Sequence, residues 1–106
     1  MVIDVVAEGS ERPPEGSPLV VRVLDTTYAD APAQLIAEVK TRVPAGRGAF
    51  LQSVELLAVA RGANEYTVRA HVDVDGDGEV SSGDYVSTAA YPVRGDEPVQ
   101  IIVRKV

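Results

Sequence analysis

The chain has no cysteine, no tryptophan and only one histidine, one methionine and one phenylalanine. Without cysteine there is no disulfide, no thiolate zinc site and no cysteine nucleophile. The single histidine, His71, rules out a multi-histidine metal site. Basic residues are scarce too: 10 Lys and Arg stand against 16 Asp and Glu, for a net charge of −6. A phosphate backbone needs a basic patch to release its counterions, so no nucleic acid is expected as a partner. No apolar run approaches the roughly 18–20 residues that cross a bilayer, so no transmembrane segment is expected. The opening "MVIDVVAEGSERPP" lacks the basic and apolar regions of a signal peptide. A periplasmic or cell-envelope location is expected if a leader was removed, and a cytoplasmic one otherwise.

What remains is the composition of an ordinary globular chain, 106 residues with 45% apolar and 25% charged side chains. That length suits a single domain, residues 1–106, with a modest core. One pattern recurs along it. "VIDVVAEG" is a short apolar run closed by "ERPPEGSP", which is turn chemistry, and "LVVRVLDTT" is rich in β-branched residues. Tyr66, Val68, Ala70 and Val72 alternate with Thr67, Arg69, His71 and Asp73, the two-residue period of a half-buried strand. "FLQSVELLAVA", "YVSTAAYPV" and "VQIIVRKV" supply further strands, closed by turns such as "RGAN" and "RGDEP". The expected fold is all-β, an antiparallel β-sandwich or short barrel of six to eight strands.

The segment "DAPAQLIAEVKTRV" fits less cleanly. Leu35, Ile36, Val39 and Val43 make a helical face, and Asp30 with Pro32 makes a plausible helix start. A strand puts Leu35, Ala37, Val39 and Thr41 on one side and Ile36, Glu38, Lys40 and Arg42 on the other. Strand is the favoured assignment.

The strongest chemical signal is "HVDVDGDGEVSSGDYVS". Counting Asp73 as position 1 puts Asp75 at 3, Asp77 at 5, Gly78 at 6, Glu79 at 7, Ser81 at 9 and Asp84 at 12. That is the order of a twelve-residue calcium loop, so Ca2+ is the expected ligand. Calcium takes about six to eight oxygens, and short aspartates at alternate positions deliver three of them inward. Gly78 permits the sharp turn. Glu79 is expected to give its backbone carbonyl, Ser81 to ligate through a water, and Asp84 to close the shell. Val80 is expected to pin the loop onto the core. Magnesium, with its stricter octahedral geometry, is expected to bind less well. The flanks alternate like strands, so the loop is expected to staple a hairpin and not to open a helix pair. An acidic turn with no ion is the plainer alternative.

"VVRVLDTTYADAPAQLIAEV" and "EYTVRAHVDVDGDGEVSSGDYVSTAAYPV" together resemble the YbaY-like bacterial lipoproteins, related to the YscW-type pilot lipoproteins of type III secretion. The resemblance covers roughly residues 18–43 and 65–93. It implies a β-sandwich, no catalysis and, for pilotins, a role in delivering or stabilising an outer-membrane secretion component. The chain departs from those lipoproteins in having no lipidation cysteine and in carrying the longer calcium-type loop.

Other candidates are weak. His71 alternates with core-facing neighbours and belongs on the outer face of its strand. The serines lack a base beyond that one histidine, and no glycine-rich stretch has the lysine of a phosphate loop. Asp25 and Asp30 flank a turn that they are expected to cap, and "RGD" at Arg94 to Asp96 is a tripeptide common by chance. Three readings follow. The first is a non-enzymatic calcium-binding β-sandwich with an interaction or scaffold role and an unidentified protein partner. The second is a pilotin-like or chaperone-like lipoprotein domain with an incidental acidic loop. The third, an enzyme with a catalytic metal, lacks an evident base or nucleophile.

Overall fold

A computed structural model describes residues 1–9, 11–28, 30–56, 64–93 and 97–106. The "RGD" tripeptide and most of the "RGAN" turn lie outside the described residues. Eight strands and no helix occur among them: β1 (Val2–Ala7), β2 (Pro18–Asp25), β3 (Gln34–Arg42), β4 (Phe50–Glu55), β5 (Tyr66–Val72), β6 (Tyr85–Ser87), β7 (Tyr91–Pro92) and β8 (Val99–Lys105). They form one sheet in the order β3-β2-β5-β6-β8-β1-β4, with β7 added on β5. The sheet curls into a half-barrel around one hydrophobic core cluster.

Alternation explains which side chains enter that core. Leu19, Val21 and Val23 of β2, Val68 and Val72 of β5 and Ile3 and Val5 of β1 are completely buried. Burying each such side chain contributes about 1.5–3 kcal/mol. Tyr66 and Ala70, expected inside from the period alone, are buried as well. One pairing departs from the antiparallel expectation: β1 and β8, the first and last strands, run parallel. A parallel pair needs a long crossover, and here the intervening chain supplies it.

The ambiguous segment is strand β3, paired to β2 along its length. Its register shifts where Val23 faces Ala37 and Leu24 faces Leu35, leaving Ile36 as an extra, bulged residue. A bulge swaps the alternation by one position, which is why neither a clean strand nor a clean helix was visible there. Leu51 fills the same role in β4: Val5 faces Gln52 and Val6 faces Phe50, so Leu51 and Val54 are both buried although three residues apart. The expected strand "YVSTAAYPV" is interrupted. β6 pairs with one end of β5 and β7 with the other. Near that break the Ser87 hydroxyl accepts the Ala70 N–H at 3.1 Å.

Asp25 does cap its turn. Its Oδ1 accepts the Thr27 N–H at 3.0 Å and the Thr27 hydroxyl at 2.6 Å, while Asn64 donates to Oδ2. The Thr27 bonds hold the Asp25 carboxyl below its ordinary range. Arg12 donates to the carbonyls of Pro44, Gly48 and Phe50 and so fastens the connection between β3 and β4.

Candidate metal centre

The loop from Asp73 to Asp84 joins β5 to β6, which are antiparallel, with His71 opposite Val86 and Val72 opposite Tyr85. Its two ends are tied to neighbouring strands. The Asp73 N–H donates to the Pro18 carbonyl at 2.8 Å, the Val106 N–H to the Asp84 carbonyl at 2.8 Å, and the Gly83 N–H to the Val106 carbonyl at 3.0 Å. Gly78 sits at φ 82°, the left-handed conformation expected of it, where a side chain is strained. Its N–H donates to Asp73 Oδ2 at 2.7 Å.

This turn brings carboxylate oxygens of Asp73, Asp75, Asp77 and Asp84 within 4.8 Å of one another. Asp75 Oδ2 accepts the Ser81 hydroxyl at 2.8 Å, so Ser81 stands beside the group. Glu79 does not join it through its carboxylate; the side chain is exposed and its N–H donates to Asp77 Oδ1 at 2.9 Å. Asp84 is 1% exposed and almost fully engaged. Its Oδ1 accepts the Val74 N–H at 2.9 Å, and its Oδ2 accepts the Ser81 N–H at 3.2 Å and lies 2.9 Å from His71 Nε2.

The charge crowding shows in the acids' affinities for protons. The Ser81 hydroxyl, above all, holds the Asp75 carboxyl below the usual range. At Asp77 the Glu79 N–H pulls the other way from burial and the Asp75 and Asp73 carboxylates, and the latter outweigh it, raising the pKa. Burial pushes Asp84 up, but the bonds from His71, Ser81 and Val74 outweigh burial and leave it lowered.

Asp73 carries the telling feature. It is 5% exposed, and its Oδ1 is buried with no hydrogen-bond partner among the described residues. A buried acceptor left unmade costs about 1–3 kcal/mol, and more when it is charged. Asp73 belongs to the carboxylate cluster, where a cation would supply the partner that oxygen lacks. The cluster offers oxygen only, which suits a hard cation of the calcium type better than zinc or copper. His71, Asp73 and Asp84 form a second possible grouping. We favour the four-aspartate set as the candidate, because His71 Nε2 is already directed at Asp84 and is placed to orient that carboxylate.

Two sequence expectations change here. Val80 does not pin the loop to the core; it is 59% exposed and lies on the outer side of the sheet beside β2, β5 and β6. A loop held at both ends by backbone bonds and by Asp84 has no need of that anchor. His71 is on the outer side as expected, but its bond to Asp84 was not foreseen. The available signal was the hairpin register. With His71 opposite Val86, Asp84 is the diagonal neighbour two positions back.

No model of a known protein family matches the chain, and no curated protein sequence matches it. Its fold is similar to that of a solved structure, an alternative pilotin from the type II secretion system of Vibrio cholerae. The TM-score is 0.78 at 20% sequence identity, over 100% of this chain and 95% of that one. The chain thus has a pilotin-like fold, and among the described residues no helix is long and apolar enough to cross a membrane.

Proposed function

We propose that this chain is a non-enzymatic, pilotin-like domain of the cell envelope that binds a secretion-system protein, with one calcium ion stapling its β5–β6 hairpin. The observation that carries the partner-binding reading is the likeness to the pilotin over 100% of this chain and 95% of that one. This favours the pilotin-like alternative over a domain defined by calcium alone. The test is deletion of the gene in its own host, followed by fractionation of the envelope. Secretion components of the outer membrane should then be depleted there or mislocalised. Normal amounts in the outer membrane would sink the pilotin-like reading.

The calcium part is supported separately by the partnerless Oδ1 of Asp73 within the four-aspartate cluster. Asp73, Asp75, Asp77 and Asp84 would hold the ion, with Ser81 beside them. Its role is structural, because strands flank the loop and offer no helix pair to open. Calorimetric titration of chelator-stripped protein should give one saturable calcium site, with magnesium weaker. Absence of heat up to millimolar calcium would reduce the loop to an acidic turn.

A further inference from the structure

The outer face of β2, β5 and β6 is at odds with the rest of the molecule. Cross-strand register places Arg22 directly opposite Arg69, and Val20 opposite both His71 and Lys40. Like charges facing each other across a ladder destabilise it. Glu38 answers Arg22 at 2.7 Å and Lys40 at 3.5 Å, whereas Arg69 has no ion pair among the described residues. Arg22 and Lys40 therefore share one carboxylate and Arg69 pairs with none among the described residues, in a chain whose net charge is −6.

The same face is hollowed into a groove of about 360 Å³. Half-buried Val20, Leu24 and Val86 give it apolar surface, and Arg22 and Arg69 line it. Its remaining boundary includes Val80 of the acidic loop and His71, the partner of Asp84. An exposed valine on a loop that has no use for it as an anchor thus faces an apolar hollow beside Arg69, which has no ion pair among the described residues.

We propose that this groove binds a protein segment presenting an apolar side chain next to a carboxylate, and that calcium in the adjoining loop tightens the binding by fixing Val80. The calcium part rests on the metal reading above; the groove part does not. Charge complementarity selects the occupant: the apolar walls take a side chain, and Arg69 takes the acid. An anionic membrane is the poorer match, since lipid surfaces are read by about four to eight clustered cations, whereas the arginines lining this groove are Arg22, already paired with Glu38, and Arg69. Coupling is reciprocal, so an occupant that holds Val80 in place also strengthens calcium binding.

The experiment selects a displayed random-peptide library on the full chain in calcium and measures the enriched peptides by calorimetry. The peptides should combine apolar residues with Asp or Glu and should bind Arg69→Glu at least about tenfold more weakly. Arg69→Glu puts an acid opposite Arg22, so the variant should melt no lower than the parent, which separates lost binding from lost folding. Enriched peptides that lack acids, or that bind Arg69→Glu equally well, overturn the groove. So does Arg69-dependent binding to phosphatidylglycerol vesicles with no peptide binding. Peptide affinity should also fall in chelator. If calorimetry detects calcium yet peptide affinity is the same with and without it, the coupling is overturned. If no calcium binds, the metal reading fails and the Arg69 comparison still decides the groove.

Discussion

Replacing Asp73 by asparagine changes one oxygen to an amide nitrogen at nearly constant shape, and the loop gives the variant an advantage in chelator that calcium cancels or reverses. The side-chain oxygen of Asp73→Asn can keep the Gly78 N–H bond now made by Oδ2, at 2.7 Å. The new amide then occupies the place of the partnerless Oδ1 and can donate to neighbouring carboxylates within the 4.8 Å cluster. In chelator the variant sheds a buried unmade acceptor, a gain of about 1–3 kcal/mol, and one charge of a crowded set. A domain of this size shifts its Tm by about 4–8 °C per kcal/mol, so the variant should melt at least about 4 °C above the parent. In calcium at a hundred times its Kd, the parent gains about 2.7 kcal/mol that the variant loses along with a ligand. Differential scanning calorimetry in chelator and in calcium reads both arms. A variant that melts lower than the parent in chelator would falsify the claim that Oδ1 waits for a cation.

Asp84→Ala should be far more damaging, because it leaves the half-buried N–H groups of Val74 and Ser81 without the acceptors they now use. The expected loss is about 2–4 kcal/mol in chelator, seen as a lower urea midpoint, and a near-neutral result would refute the role given to those bonds. Acid provides a third test. Because the folded Asp84 carboxyl is held below its ordinary value of 3.8, the stability it lends is complete above that pH and drains away as pH falls through the lower folded value. Urea midpoints of the parent in chelator should fall across that window, while Asp84→Asn should fall less; parallel curves would rule the linkage out. Gly78→Ala meets no atom within 4 Å, so only the backbone at φ 82° resists it. Its cost should be about 1–2 kcal/mol, and no loss in urea titration would mean the turn relaxes freely.

The strands were legible because a curled sheet with one buried side imposes a strict two-residue period, and β5 follows it at every position from Tyr66 to Val72. Legibility failed where the period breaks. The bulge at Ile36 exchanges faces within β3, and β3 is an edge strand whose side chains are mostly exposed, so burial could not correct the pattern. The parallel pairing of β1 with β8 left no local mark at all. It joins residues nearly the whole chain apart, and no turn between them records which neighbour each will find.

The acidic loop divides along the same line. The convergence of Asp73, Asp75, Asp77 and Asp84 was readable because a tight turn with glycine at Gly78 is a local property of twelve residues. The fates of Val80 and His71 were not, because they depend on what stands across the sheet. A hydrophobic residue at that position of a loop between helices has a helix to pack against. Between strands, the loop projects beyond the sheet and the same residue faces the outer groove. The identical spacing therefore yields a different device: the Asp84 bonds and the ties to Val106 stiffen the hairpin end, and under the proposed function a bound ion would only add to that stiffening. Any consequence for a partner must pass through the side chains that this stiffening positions. Val80 and His71 are the residues that reach both the loop and the groove, and substituting Val80 by serine should therefore reduce the calcium dependence of peptide binding while leaving calcium affinity in the absence of peptide unchanged. A calcium dependence that survives Val80→Ser would place the connection elsewhere, through His71 and β5.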